Sequence, residues 1–537
     1  VSPSPATLPD PSGDPRPAWL AALAASLAEA LPRLHGVEGD PALDTVIAAL
    51  TGALAEGQLE LLLADPEQRR AVAASPLASD PWGPLVLEGE RLLWRRWHAQ
   101  RQQVLEALIQ RAGQPSALAE AGPVPALARL DSDQQRALAA VLNHRLVLLE
   151  GGPGTGKTST VAGMLEAVRE RNGGARMHLA APTGKAAARL RANLAPSEAV
   201  PCTTVHRLLE SQGERFGRNR QHPLELDLLV IDEVSMLDLA LMQAVLEALP
   251  AQASLVLVGD GAQLPPVGPG PVLLELQRAD RRQALGPAAV ELRTTYRNGG
   301  AIAELAASLR PSPGPKPVDA AAQGSGDWRH LIPQLRQLQP GANLAWRQTS
   351  PRRLPGELLE RLQRQQQELR RLCDSTRPGD QQAEARLLAQ LDALLVLTPV
   401  RRGRWGVEAI HRALLGERLE QPVQQWPLGT PVLCQQNLPE LGLANGDVGI
   451  LTRPAAGQEP RLLFGVGGGE HLWLHPAQLP ARQPALALTV HKAQGSEAEE
   501  VWILMPDTGR PSDRLLYTAL TRARQRAELI TPEGDKV

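Results

Sequence analysis

Lysine is nearly missing from this chain of 537 residues: of 56 basic side chains only five are lysines, Lys157, Lys185, Lys316, Lys492 and Lys536. Arginine has taken over wherever a generic cation is enough, so the surviving lysines mark candidate positions that need a compact ammonium rather than a guanidinium fork. Aromatics are also few, with two phenylalanines and two tyrosines, Tyr296 and Tyr517, beside ten tryptophans. That leaves few rings from which an aromatic binding surface could be made. Three cysteines, Cys202, Cys373 and Cys434, are widely spaced and fit neither a disulfide framework nor a zinc site. No charge-free apolar run approaches the roughly 20 residues of a membrane span. The Pro-rich start, Val1 to Pro17, has neither a basic n-region nor an apolar h-region. Together these absences lead us to expect a reducing, cytoplasmic setting.

What is present is an ordinary globular composition, 43% hydrophobic and 21% charged, in a chain long enough for three or four domains. The net charge of −2 is unevenly spread: residues 1–125 carry 15 acidic and 9 basic side chains, leaving the remainder at +4. A mildly basic body that meets phosphates locally fits this better than a uniformly basic coat.

Residues 18–112 read as mostly helical. Leu43, Val46, Ile47, Leu50 and Leu54 share one helical face, and Leu93, Trp97, Val104, Leu105 and Leu108 another. A Gly/Pro/Ala-rich stretch over 113–125 reads as a linker. Short apolar strands then alternate with helical patterns, at 146–149, 177–181, 228–231 and 255–258, and again at 394–398, 485–490 and 501–504. That alternation predicts parallel sheets with helical crossovers. Residues 311–326 are Pro/Gly-rich, and 363–371 form a Gln/Arg-rich helical stretch with a solvated face. Residues 416–480 change character to short strands and Gly turns. The expected layout is a helical N-terminal domain (1–125), an α/β domain (126–290), a second one (291–415 and 481–537), and a β insertion (416–480).

Gly151-Gly-Pro-Gly-Thr-Gly-Lys-Thr158 follows a strand and opens a helix, which is the context a phosphate-binding P-loop requires. Backbone N–H groups from Gly151, Gly152, Pro153's neighbours, Gly154, Thr155, Gly156 and on to Ser159 would cradle phosphates. Lys157 would reach the β/γ-phosphates of ATP and Thr158 would hold Mg²⁺. Leu228-Leu-Val-Ile-Asp-Glu233 ends a buried strand in two carboxylates, with Asp232 assigned to Mg²⁺ and Glu233 to the attacking water.

The rest of the motif set resembles superfamily-one DNA helicases of the RecD branch, the alpha-subunit family of exodeoxyribonuclease V, over about 126–537. Ala181-Pro-Thr-Gly-Lys-Ala186 and Thr203-Thr-Val-His-Arg207 are similar to the segments that contact single-stranded DNA. Asp232-Glu-Val-Ser-Met236, Gly259-Asp-Gly-Ala-Gln-Leu-Pro265 and Thr295-Tyr-Arg297 are similar to motifs II, III and IV. Thr489-Val-His-Lys-Ala-Gln-Gly-Ser-Glu497 and Tyr517-Thr-Ala-Leu-Thr-Arg522 are similar to motifs V and VI. The resemblance implies two RecA-like P-loop domains with a small SH3-like barrel in the second. It also implies ATP- and Mg²⁺-dependent 5′-to-3′ movement, in partnership with RecB- and RecC-like subunits of a bacterial double-strand-break repair and recombination enzyme. It assigns Gln134 (or its neighbour Gln135) and Tyr296 to adenine, Gln263, Arg297 and Arg522 to the γ-phosphate, and Glu497 to the nucleotide side of motif V. Thr183, Lys185, His206, Thr489, His491 and Lys492 are the candidates for DNA phosphates and sugars. Segments 398–407 and 441–450, and more weakly 84–92, resemble this family too. Stand-alone relatives with longer N-terminal regions and helix-hairpin-helix elements are an alternative; a P-loop ATPase that does not move on DNA is a remoter one.

The residue types make chemical sense without the family name. Phosphoryl transfer spreads charge over the γ-oxygens, and cations from two sides stabilise it. Arg297 and Arg522 are far along the chain from the P-loop, so they reach ATP only if a second domain closes over it. For Trp405 and Trp473, core or barrel roles are the better reading than base stacking. A common metal-dependent nuclease places a carboxylate two residues before a lysine; none of the five lysines has one. No nuclease centre is therefore expected in this chain. Four of the ten tryptophans, Trp19, Trp82, Trp94 and Trp97, fall in the first 125 residues, which we expect to dock a partner.

Overall fold

The computed structural model describes residues 18–37, 40–55, 57–117, 130–194, 200–213, 215–295, 300–310, 328–455, 457–466, 470–506 and 512–533. The expected linker lies largely outside these residues, as do the Pro/Gly-rich stretch 311–326 and the candidate residues Tyr296 and Arg297.

The chain divides into two compact units. The smaller comprises residues 1–107 with two short segments from later in the chain, 238–243 and 266–272. Its helices Ala18–Leu34 and Pro41–Ala55 bury Leu43, Val46, Ile47 and Leu50, the face the periodicity marks. The helical reading of this region omits a three-stranded antiparallel sheet, Glu60–Leu62, Arg91–Trp94 and Leu85–Glu88. Leu92 and Leu93 are buried from strand positions, one on each face, and buried Arg101 answers both Glu60 and Glu88 from the helix Arg95–Gly113. The returning segments belong to this body: Gly270 N donates to Gly57 O (3.3 Å), and Gln100 Nε2 to Gln243 Oε1 (2.6 Å).

Among the described residues the larger unit carries three large sheets and a two-stranded one, Ser211–Gln212 with Arg215–Phe216. Six parallel strands run in the order Ala289–Leu292, Leu146–Gly151, Ser254–Gly259, Leu228–Ile231, Met177–Ala181, Cys202–Thr204. The central strands read as unbroken apolar runs because helices cover both faces, and residues 146–149 are wholly buried. A second parallel sheet runs Leu344–Thr349, Ala523–Pro532, Ala498–Leu504, Leu394–Thr398, Leu488–Thr489. Between its last two strands in space the chain makes an antiparallel five-stranded sheet: Glu470–Leu474, Arg461–Val466, Val448–Thr452, Pro431–Cys434, Arg482–Pro484.

The strand expected over 485–490 is shortened to Leu488–Thr489. Pro484 ends the pairing with Pro431–Cys434, and the backbone turns helical at Val490 (φ −54°), so the chain switches sheets within a few residues. Trp405 is buried, its indole N–H donating to Arg353 O (2.9 Å); that of Trp473 donates to Glu384 Oε1 (2.6 Å). Among the described residues no helix is long and apolar enough to cross a membrane.

Candidate active site

The P-loop leaves the strand Leu146–Gly151 at its last residue and turns through two left-handed glycines, Gly154 (φ +74°) and Gly156 (φ +80°), into the helix Lys157–Arg171. Gly151 must be small, because a methyl carbon there would lie 2.4 Å from Thr155 Oγ1. That buried hydroxyl donates to Gly152 O (2.9 Å) and pins the loop. Lys157 Nζ donates to Gly151 O (2.7 Å) and Gly152 O (3.0 Å), which holds the ammonium at the mouth beside the free N–H groups of the helix start. Thr158 is half-buried and Ser159 exposed on the first helical turn.

The strand Leu228–Ile231, separated from the P-loop strand by Ser254–Gly259, delivers Asp232 and Glu233 to the same end of the sheet. Burial and the Glu233 carboxylate hold the Asp232 carboxyl well above the usual range, against the opposing pull of Lys157. Glu233 adopts a left-handed backbone (φ +54°, ψ +41°), uncommon for a residue with a Cβ. Replacing it with glycine should relieve this strain. Glu233→Gly is therefore expected to be more stable than Glu233→Ala by about 1 kcal/mol, both being inactive. Equal denaturation midpoints for the two variants would show that the backbone there is unstrained.

Motif III forms the meeting point of the two parallel-sheet lobes. Asp260, 1% exposed, accepts from Tyr517 Oη (2.7 Å). Leu264 N donates to Thr518 Oγ1 (2.8 Å), and Gln494 Nε2 donates to Leu264 O (2.9 Å). Arg514 donates to the carbonyls of Gly261 and Gln263. Burial and the adjacent Asp260 push the Tyr517 phenol far up, so it stays a donor. Gln263 is buried, and its Oε1 has no hydrogen-bond partner among the described residues. Arg522 is buried in the second lobe and donates to Thr518 O (3.0 Å), Ser496 O (3.3 Å) and Thr521 Oγ1 (3.3 Å).

Two expected nucleotide contacts have other partners here. The Gln134 side-chain oxygen accepts from Asp131 N (3.1 Å) while Gln134 N donates to Asp131 Oδ1 (2.8 Å), a reciprocal helix cap. Glu497 is engaged by Arg189 and by Arg524 (3.2 Å), so its carboxylate ties motif V to the helix Gly184–Ala192 of the first lobe.

The segments 181–186 and 489–497 meet at Thr183 and Gly495. Thr183 caps Gly184–Ala192, and a methyl carbon on Gly495 (φ +74°) would lie 3.1 Å from its hydroxyl. Thr489 Oγ1 accepts from Lys492 N (3.4 Å), and His491 and Lys492 are exposed beside it. Lys185 pairs with Asp392 (3.2 Å). His206 is half-buried in the short helix Val205–Leu208, next to Thr203, whose hydroxyl meets His178 Nε2 (2.9 Å).

Sequence reasoning passed over Asp447. Its carboxylate covers Gly184, where a methyl carbon would lie 3.0 Å from Oδ1, and Oδ2 accepts from Ala444 N (2.7 Å). Burial pushes this carboxyl up to about 6. An acid whose folded pKa is raised binds more protons folded than unfolded between about pH 4 and 6, so its contribution to stability falls as pH rises through that window. Asp447→Asn should therefore gain on the parent between pH 4 and 7, by up to about 3 kcal/mol, and level off above. Denaturant titrations across that range check this, and a pH-independent difference would contradict it. The other unforeseen residues, Asp260, Thr518, Gln494 and Arg514, lie inside or beside the motifs, whereas Arg310 lies in none.

A family model for an AAA domain matches residues 134–269, and one for a UvrD-like helicase C-terminal domain matches 484–530. The chain is 35% identical over 503 residues to a RecBCD enzyme subunit RecD of Mycolicibacterium smegmatis, covering 87% of this chain and 82% of that one. It is 32% identical over 420 residues to an ATP-dependent RecD2 DNA helicase of Deinococcus radiodurans, covering 75% and 49%. Among solved structures, a Bacteroides Pif1 helicase with ADP-AlF3 and single-stranded DNA aligns at 17% identity and a TM-score of 0.41, over 75% of this chain and 92% of that one. That likeness is too low to carry residue positions across. The identity to RecD subunits, sustained over most of both chains, decides the family: this chain belongs to the RecD family of superfamily-one helicases and is an ATP-dependent DNA helicase.

Proposed function

We propose that this chain is the motor subunit of a RecBCD-type helicase–nuclease, moving 5′-to-3′ on single-stranded DNA by hydrolysing Mg²⁺-ATP at its P-loop. The observation that carries the reading is the clasp on motif III. Tyr517, Thr518, Gln494 and Arg514 of the second lobe all grip the segment 260–264, which follows the first lobe's central strand. A change at the phosphates is thereby wired to the angle between two lobes that both face the DNA strand.

In this mechanism Lys157 and the helix N-terminus hold the β- and γ-phosphates. Thr158 and Asp232 would hold Mg²⁺, and the residues fit it: burial, and then the adjacent Glu233 carboxylate, push the Asp232 carboxyl up, and a divalent cation would relieve both. When bound, the ion would neutralise charge on the phosphate oxygens. Glu233 polarises the attacking water and accepts its proton, and the unpaired Gln263 oxygen points to a role in orienting it. Arg297 and Arg522 offset the charge that develops on the γ-oxygens. Tyr296 is assigned to adenine. Thr183, Lys185, His206, Thr489, His491 and Lys492 hold the DNA backbone without reading bases.

The insertion is read as an SH3-like barrel on the strength of its five short antiparallel strands. The N-terminal region is read as a docking module for RecB- and RecC-like subunits, supported by exposed Trp19 (63%) and Trp82 (88%). Subunit status is favoured over a stand-alone helicase because the match to a RecD subunit extends over 87% of this chain at 35% identity, and that to the RecD2 helicase over 75% at 32%. Purifying the tagged chain from its host tests this. Co-purification of two large partners is expected; a chain that emerges alone and fully active would favour the stand-alone reading.

A further inference from the structure

An arginine outside every recognised motif lies against the P-loop. Arg310 follows the helix Ala301–Ser308, whose Ile302, Leu305 and Ala306 pack into the core of the second sheet. Leu309, also buried in that core, anchors the chain immediately before it. The anchored turn carries the guanidinium across to the first lobe. A methyl carbon placed on Gly152 would lie 2.7 Å from Arg310 Nη2 and 3.1 Å from its Cζ, so the guanidinium fills the space over the P-loop's second residue. The carbonyl of that residue accepts from Lys157 Nζ (3.0 Å). Arg310 and the P-loop lysine therefore approach one glycine from the two lobes.

Its other neighbour is the motif III clasp. Arg310 Nη2 lies 3.9 Å from Asp260 Oδ1, while the other oxygen of Asp260 accepts from Tyr517. At 3.9 Å this is an ion pair without a hydrogen bond, and the Arg310 side chain is 35% exposed. Held by this ion pair and by a hydrogen bond that it donates to the Tyr517 hydroxyl, at the mouth of a loop shaped for anions, the guanidinium has a stronger partner available in a phosphate, which it can grip in bidentate fashion.

We propose that Arg310 is a further phosphate-contacting residue of the ATP site, which leans on Asp260 in the conformation described here and turns onto the γ-phosphate when the triphosphate is bound. The inference rests on the P-loop reading of the nucleotide site. A diphosphate offers no γ-phosphate and leaves Arg310 on Asp260. The Asp260–Tyr517 contact that joins the lobes thus meets a paired or a released Asp260 according to which nucleotide is present. Arg310 is in this way both a cation on the reacting phosphate and the group that reports its presence to motif III.

The test uses the full chain and its Arg310→Gln, Arg310→Lys and Lys157→Ala variants. Affinities are measured for fluorescent ADP and for a non-hydrolysable ATP analogue, with kcat and KM for ATP on single-stranded DNA. Arg310→Gln is expected to bind ADP within about twofold of the parent but to lose roughly 10- to 100-fold in affinity for the ATP analogue, the range for a charged hydrogen bond. Arg310→Lys, which keeps the charge but not the fork, should recover part of that loss. Equal loss for both nucleotides, or no loss for either, overturns the proposal, because a merely structural arginine does not separate them. If Lys157→Ala hydrolyses ATP normally, the P-loop reading itself fails. If Lys157→Ala is inactive while Arg310→Gln still prefers ATP over ADP as the parent does, only the role of Arg310 is refuted.

Discussion

Glu233→Gln is expected to lower DNA-stimulated ATP turnover by roughly 10²-fold or more while nucleotide still binds, because it removes a group that acts only as the phosphoryl group transfers. Gln cannot take a proton from the attacking water, yet it fills the same space at the end of Leu228–Ile231 and leaves the P-loop intact. Lys157→Ala should lose at least as much turnover and lose binding as well. The ammonium sits at the loop's mouth on the carbonyls of Gly151 and Gly152, where phosphate would arrive. The pair of variants therefore separates binding from chemistry. Single-turnover hydrolysis with a parallel binding titration reads both. Near-normal turnover in both variants would remove the reaction from this site.

The second large effect concerns assembly. Trp19 and Trp82 are exposed on the N-terminal region, together with Leu23 (45%) and Leu34 (74%), in a segment whose net charge of −6 disfavours a DNA backbone. If they are interface anchors, the Trp19→Ser/Trp82→Ser double variant should weaken binding to RecB- and RecC-like partners by about 10³-fold, taking roughly 2 kcal/mol per hot-spot tryptophan. ATP hydrolysis on single-stranded DNA should be unchanged. The double variant is a cleaner probe than deletion of residues 1–125. The N-terminal body is completed by residues 238–243 and 266–272, so deletion would strip the cover from Leu239, Met242 and Val272, which are buried. Pull-down of the partner subunits measures the effect, and undiminished assembly would mean that these tryptophans serve something else.

Local features were legible in the sequence, and their reasons are local. Residues 177–181, 228–231 and 394–398 are strands at the limits that the apolar runs mark, because a strand covered on both faces has little freedom in where its apolar run stops. The P-loop could be read because its glycines answer to backbone needs within eight residues. Partners distant in the chain were not legible. Tyr517 stood out by rarity, but its partner Asp260 lies 257 residues away, and no spacing rule connects them. Gln134 reads equally well as an adenine contact and as the fourth member of an Asp-x-x-Gln cap, and the cap is the contact present. Glu497 belongs to a motif whose spacing says nothing about Arg189, more than three hundred residues earlier. Within the N-terminal body, Leu93 falls on a helical periodicity but occupies a strand, because short apolar runs satisfy either period.

The most direct test of the account is strand displacement by the purified chain on two forked substrates, one with a 5′ single-stranded tail and one with a 3′ tail, with and without ATP. A motor of the kind proposed should unwind the 5′-tailed duplex only when ATP is present, lose that activity in Glu233→Gln, and leave the 3′-tailed duplex paired. ATP-dependent unwinding confined to the 3′-tailed duplex, or unwinding that survives Glu233→Gln, would contradict it.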